Sequence, residues 1–224
     1  MRVCAVIPAL NEATRIADVI RGALQYVDTV IVVADGSTDG TPEVARKAGA
    51  RVIEHSINCG AGAATMTGLR AARELGFSSA VTIDADGQHD ARDIPRLLET
   101  LQTEHADLVI ANRFGQKNVI PWVRRLANFI GNILTFAVTG LYLPDTQCGF
   151  KVFGPKALAT IDLKMSGYEF CTEVIREAAH HRWKIVSVPS KVMYSEYTLA
   201  KGHSGVFASG LRTAAKILIR TLLR

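Results

Sequence analysis

Short apolar, β-branched runs alternating with stretches of helical periodicity constrain this chain more than any other feature. Strands are expected at RVCAVIP (2–8), DTVIVVAD (28–35), residues 51–54, SAVTID (79–84) and residues 107–112. Between them helices are expected over about 12–25, from the caps at Ser37, Thr38 and Asp39 to about Ala48, and over 61–74 and 93–104. Strands separated by helices of about ten to fifteen residues argue for βαβ units and a mostly parallel sheet flanked by helices. After residue 115 the pattern changes. A helix is expected over 121–142, a strand at GFKVF (149–153), a helix at 169–181, strands at 184–188 and 190–195, and a last helix from Val206. No repeat or linker interrupts the chain, so the fold class is α/β, with one domain over 1–200 and an amphipathic tail over 201–224.

In an open α/β sheet, ligands gather outside the carboxyl ends of the strands. The run at 79–84 ends there in Asp84 and Asp86, which point the same way if strand geometry persists. Gly87 then releases the chain into a loop. Two hard oxygen ligands at this spacing suit Mg²⁺ or Mn²⁺, which would hold a diphosphate; the plain alternative is an Asp-rich loop capping the next helix. Asp35 closes a neighbouring strand, where it accepts a hydrogen bond from a base or ribose, or forms an Asx-type turn. In PALNEA (8–13), Pro8 stops the ladder and Asn11 caps a helix that Glu12 opens. The glycines of NCGAGAA (58–64) permit close backbone approach to a ligand or tight helix–sheet packing. They lack the third glycine of a dinucleotide fingerprint, which argues against a nicotinamide dehydrogenase.

Charge is unevenly placed. The formal net charge is +5, and residues 201–224 alone hold Lys201, Arg212, Lys216, Arg220 and Arg224 with no acid, so residues 1–200 balance to zero. That excludes a globally basic surface for nucleic acid. Cys4, Cys59, Cys148 and Cys171 lie far apart, which predicts reduced thiols rather than a zinc site or disulfide framework. No signal peptide is expected, because Pro8, Asn11 and Glu12 interrupt the opening apolar run.

Taken in order, PALNE, ADGSTDGT (34–41), NCGAGAA, DADGQHD (84–90), ANRF (111–114) and DTQCGFKVF (145–153) resemble the family 2 glycosyltransferases, in particular the dolichyl- and undecaprenyl-phosphate sugar synthases. The resemblance covers roughly residues 3–200. It implies a GT-A fold, an inverting transfer and a UDP- or GDP-sugar donor. Pro8, Leu10, Glu12, Asp35, Ala85 and Arg125 would then contact the donor, Asp84, Asp86 and Gln88 would hold Mg²⁺ or Mn²⁺ against its diphosphate, and Arg113 would sit near the phosphates. One departure is Ala34, where the family has a first aspartate before Asp-Gly-Ser.

The acceptor decides whether a base is needed. A sugar hydroxyl must be deprotonated, whereas a phosphate monoester, with a second pKa near ~6, is largely ionised at neutral pH. Asp145 is the base candidate for a hydroxyl; otherwise it orients the site or contacts the metal or Lys151. Arg113, Arg124, Arg125, Lys151 and Lys201 are candidates for a cationic seat under an acceptor phosphate. Glu169 and Glu173 are alternative carboxylates or surface residues, and His89 either lines the site or lies in an exposed loop.

Residues 126–143 form an uncharged stretch at the lower length limit for a membrane span. Asn128, Asn132, Thr135 and Thr139 make it a core or membrane-surface helix instead. In the tail, Arg212, Lys216, Arg220 and Arg224 form a basic stripe opposite Phe207, Leu211, Leu218 and Leu222, which suits an anionic membrane surface. The expectation is an enzyme transferring sugar to a polyprenyl phosphate, peripheral at the cytoplasmic membrane face, with homo-oligomerisation open. Its rivals are transfer to a saccharide hydroxyl, a sugar-1-phosphate nucleotidyltransferase, which would carry a Gly-rich loop after the first strand, and a non-catalytic membrane adaptor.

Overall fold

A computed structural model of the chain describes residues 1–116, 120 and 122–193. Its elements follow as β1 (Val3–Ala9), α1 (Ile16–Leu24), β2 (Thr29–Asp35), α2 (Thr41–Lys47), β3 (Arg51–His55), α3 (Ala61–Glu74), β4 (Ser79–Thr82), α4 (Ile94–Thr103), β5 (Leu108–Asn112), α5 (Trp122–Thr139), β6 (Lys151–Phe153), α6 (Pro155–Thr160), α7 (Phe170–His180) and β7 (Ile185–Pro189). The expected tail helix from Val206 and Lys201 lie outside the described residues.

Seven strands form one sheet in the order β3-β2-β1-β4-β6-β5-β7. All pairs are parallel except those of β6, which runs antiparallel to both β4 and β5. From β1 the chain winds outward through β2 and β3, then returns to the other side of β1 as β4. The crevice between β1 and β4 is therefore the switch point where such sheets take ligands. Because β6 is reversed, its N-terminal end meets the carboxyl ends of β1, β2, β4 and β5. Residues 145–150 thus reach the same edge as Asp35 and Asp84.

The central strands are apolar on both faces because helices cover both. Val3–Ile7, Val30–Ala34, Ala80–Val81, Leu108–Ala111 and Val152–Phe153 are all buried. α3 packs closest, since a Cβ on Gly68 would lie 2.3 Å from Cγ1 of Val6.

Three expectations need correction. The first helix begins at Ile16, not Glu12, because Asn11 takes a left-handed φ of 53° and its side chain accepts from the N–H of Thr38 rather than capping a helix. The strand ending in the paired aspartates stops at Thr82, so Asp84 and Asp86 leave from a turn, not from strand geometry. The last expected strand contributes, within the described residues, only a bridge from Val192 to His89. α6 was not anticipated; Pro155 opens it in its first turn.

Candidate active site

The loops after β1 and β2 are laced together at the sheet edge. The N–H of Asn11 donates to Ser37 Oγ (3.1 Å), that of Glu12 to Thr41 Oγ1 (2.9 Å), and that of Ala13 to Asp39 Oδ2 (3.0 Å). Pro8 is half-buried at the end of β1, Leu10 is exposed and Glu12 is buried. The ladder continues past Pro8 to Ala9, so Pro8 does not stop it as expected; Leu10 and Glu12 stand on the loop that follows and borders the crevice.

Asp35 is turned toward its own chain. Its Oδ1 accepts from His55 Nδ1 (2.7 Å) and the N–H of Cys59 (2.9 Å), and its Oδ2 from the N–H of Gly60 (2.7 Å). His55 Nε2 meets Thr67 Oγ1 at 3.0 Å. Three of the roughly four acceptor positions of the carboxylate are therefore engaged in fastening the loop after β3. Asp35, His55 and Cys59 bring one ligand atom each within 4.8 Å of one another, a grouping absent from the sequence reading. Its signal was present in the register, because Asp35 and His55 are paired positions at the ends of β2 and β3. The glycines of NCGAGAA serve packing: a Cβ on Gly60 or Gly62 would lie 2.3 Å from Ser166 O or 2.2 Å from Met165 O.

Asp84, Asp86 and Gln88 share the turn after β4. The carboxylate of Asp84 is 45% exposed, and that of Asp86 accepts from the backbone N–H of Gln88 (2.9 Å) and from its side-chain amide. Burial, reinforced by the charge of Asp84, raises the Asp86 pKa above that of an ordinary carboxylate. Among the described residues neither aspartate pairs with a lysine or arginine. Ala85, between them, is buried. Two adjacent carboxylates, one open to solvent and neither neutralised, fit a hard divalent cation.

Two neighbours shape this turn. Gly149 lies so close that an added Cβ would stand 2.4 Å from Asp84 Oδ1. His89 places Nε2 3.6 Å from Asp84 Oδ2. The imidazole is buried, tilts against the Phe150 ring at 5.2 Å and meets Cys148 Sγ at 3.8 Å, while its Nδ1 has no hydrogen-bond partner. Burial lowers the His89 pKa, and the nearby Asp84 opposes that shift. His89 is not in an exposed loop.

Arg113 and Asp145 form a bidentate ion pair at this edge. The guanidinium Nε and Nη2 donate to Asp145 Oδ2 (2.7 Å) and Oδ1 (2.8 Å), and the Arg113 backbone N–H adds a third bond (3.1 Å). Asn128 of α5 accepts from Nη2 at 3.3 Å. Asp145 is fully buried, with both oxygens engaged by Arg113, and forms no ion pair with Lys151. Lys151 is itself elsewhere than expected. Its Nζ is buried, donates to the carbonyl of Cys148, and lies 3.7 Å from Cys171 Sγ and 5.6 Å from the Phe170 ring centroid. Such an ammonium braces the 145–150 loop from beneath; it is not an open seat for phosphate. Arg124 reaches Gln88 Oε1 at 3.2 Å from the first turn of α5, whereas Arg125 is exposed. Glu169 and Glu173 are not surface residues: both are buried, and Glu173 caps the N–H groups of Lys164 (3.0 Å) and Met165 (2.7 Å).

α5 has two faces. Asn128, Asn132 and Thr135 point inward, where Asn132 bonds Thr146 and the carbonyl of Pro144, and Thr135 meets Thr172. Trp122, Leu126, Phe129, Ile130, Ile133 and Phe136 are exposed, at helical spacing along the other face. No helix among the described residues is long and apolar enough to cross a membrane.

The family model described as glycosyl transferase family 2 matches residues 4–162. A UDP-N-acetylglucosamine–dolichyl-phosphate N-acetylglucosaminyltransferase of Methanococcus voltae is 32% identical, covering 88% of this chain and 88% of its own. An undecaprenyl-phosphate mannosyltransferase of Micrococcus luteus is also 32% identical, over 92% of this chain and 89% of its own. Among solved structures, glucosyl-3-phosphoglycerate synthase from Mycobacterium tuberculosis with Mg²⁺ and UDP superimposes with a TM-score of 0.73 at 22% identity, covering 98% of this chain and 79% of that one. That likeness is one of fold, the GT-A fold.

Proposed function

The chain belongs to glycosyl transferase family 2 and resembles the polyprenyl-phosphate sugar synthases, and from that premise we propose that it is a metal-dependent, inverting enzyme. It moves a hexose or N-acetylhexosamine from a UDP- or GDP-sugar to a polyprenyl phosphate at the cytoplasmic membrane face. The observation that carries the acceptor class is the Arg113–Asp145 pair. A carboxylate with both oxygens held by one guanidinium is badly placed to take a proton from a hydroxyl. A phosphate acceptor needs positioning rather than a base, because its oxygens are already ionised.

Asp84, Asp86 and Gln88 would hold the Mg²⁺ or Mn²⁺, and the uncompensated charge of the two carboxylates supports that assignment. A cation held by them would supply charge neutralisation for the leaving nucleoside diphosphate. The chain's own residues do the rest. Gly149 leaves room for the Asp84 carboxylate, Arg124 orients Gln88, and Asp145 fixes the plane of Arg113 beside the donor phosphates. Pro8, Leu10, Glu12 and Ala85 border the donor crevice, with Arg125 on the rim. Asp35 acts mainly by fixing the 58–60 loop, leaving about one lone pair for the nucleoside.

The membrane reading draws support from the described residues as well as from the basic tail. The exposed apolar stripe of α5 lies on a helix with Arg124 and Arg125 and no acid, which suits an anionic bilayer surface. A radiolabelled sugar-nucleotide assay with polyprenyl phosphate tests the proposal: label extracted into chloroform supports it, and label confined to the aqueous phase refutes the lipid acceptor. A panel of UDP- and GDP-sugars with and without Mn²⁺, followed by thermal shift, identifies the donor through the stabilisation that ligand binding confers.

A further inference from the structure

The carboxylate of Asp84 has a second close neighbour besides Gly149. His89 follows the DADGQ turn, yet its ring does not enter the open part of the site. It is buried against Phe150 and Cys148, with Nε2 3.6 Å from Asp84 Oδ2. Its backbone is pinned too, since residue 89 bridges Val192 and the N–H of Met193 donates to Gln88 O at 2.9 Å. A buried imidazole nitrogen without a partner is costly, and Nδ1 of His89 is one. An apolar side chain of similar size would fill the pocket beside Phe150 at no such cost, so packing does not account for an imidazole at this position.

We propose that His89 is a positioning residue for Asp84: the imidazole faces the carboxylate with Nε2–H and, together with the bare backbone of Gly149 against the same carboxylate, fixes the direction in which Asp84 presents its open side to the cation. The inference rests on the metal site proposed above. Groups that orient metal ligands from outside typically contribute about 10–100-fold in metal affinity. His89 acts through Asp84 and touches neither donor nor acceptor.

Mn²⁺ titration of the full chain, followed by electron paramagnetic resonance without any donor, tests this on wild type, H89L, H89Q and D84N, with melting temperature as the check on folding. H89L should weaken Mn²⁺ binding by about tenfold or more. H89Q, whose amide N–H reaches the place of Nε2–H, should recover to within about threefold of wild type, with both variants melting close to it. Unchanged Mn²⁺ affinity in H89L overturns the inference, as does H89Q binding as weakly as H89L. If wild type and D84N bind Mn²⁺ equally, the metal site itself is wrong and the inference falls with it. Binding that depends on Asp84 but is indifferent to His89 removes only the inference.

Discussion

Gly149 and Asp84 interlock: the carboxylate of Asp84 fills the volume that a β-carbon on residue 149 would take, with Oδ1, Oδ2 and Cγ all within 2.7 Å of that position. The contact joins the turn after β4 to the segment that enters β6 in the opposite direction. Thr82 Oγ1 donating to Gly149 O at 2.7 Å holds the two backbones in register. Gly149→Ala should therefore push the half-exposed Asp84 side chain aside rather than unfold the sheet. Expected are a melting temperature within a few degrees of wild type and a loss of Mn²⁺ affinity of about tenfold or more, the scale on which displaced metal surroundings act. Calorimetric Mn²⁺ titration that finds equal affinity would show that Asp84 does not need this space.

Asp86 has an ionisation cost that a cation should relieve. Its folded pKa is raised by burial and by Asp84 above the ordinary 3.8. A raised folded pKa contributes stability below the unfolded pKa, and that stability is lost as pH rises through the folded value. In EDTA the contribution of Asp86 to stability should consequently fall as pH rises through its folded value, and the comparison with a neutral variant isolates it. Asp86→Asn, which stays neutral, should melt higher than wild type at pH 8, by about 2–4 °C for each kcal/mol relieved, and the gap should close near pH 4. With Mn²⁺ the order should reverse at pH 8, because only wild type gains from the metal. A D86N variant less stable than wild type in EDTA at pH 8 would contradict this sign.

For Asp145, positioning and base roles make opposite predictions. If the residue holds Arg113, Asp145→Asn removes one arm of a buried bidentate pair. Turnover should fall by about tenfold or more, the protein should lose stability, and the acid limb of the pH–rate profile should keep its midpoint. Arg113→Lys should resemble it, since an ammonium cannot reproduce the two parallel bonds. Were Asp145 a general base, the acid limb would disappear in D145N while R113K left the limb in place.

Most of the sheet is legible from the chain because its strands are short apolar runs that nothing but burial explains, and α3 falls at Ala61–Glu74 as its spacing indicates. What was not legible depends on contacts between distant segments. Nothing local in NEA distinguishes a helix cap from a loop laced to Ser37 and Thr38. Lys151 reads as a candidate phosphate ligand until the reversal of β6 turns its side chain inward beneath Cys148. Asp35 reads as a base contact until the β2–β3 register sets His55 beside it. At the site the residue types were legible, because carboxylates at a strand end are rare in a buried run. Their partners were legible only in part: His89 was a candidate to line the site, whereas Gly149 and Asn128 reach it from distant segments.

The polar residues that make 126–143 a poor membrane span are those by which α5 grips the site, so its outer face is free to meet a bilayer. Asn128, Asn132 and Thr135 bind Arg113, the 144–146 segment and Thr172. Phe129 and Ile133, one turn apart on the other side, are 60% and 50% exposed. Each large apolar side chain taken fully out of water contributes about 1.5–3 kcal/mol. Phe129→Ser with Ile133→Ser should therefore lower partitioning onto anionic vesicles by at least about tenfold, while stability, as for exposed positions in general, stays within about 0.5 kcal/mol for each change. Mn²⁺ and donor binding in solution should be unaffected, and transfer to a short, water-soluble polyprenyl phosphate analogue should persist. Vesicle flotation with the complete chain reads the first effect directly. Equal flotation of the doubly substituted protein would assign bilayer contact to residues 206–224 alone and leave the stripe on α5 without that role.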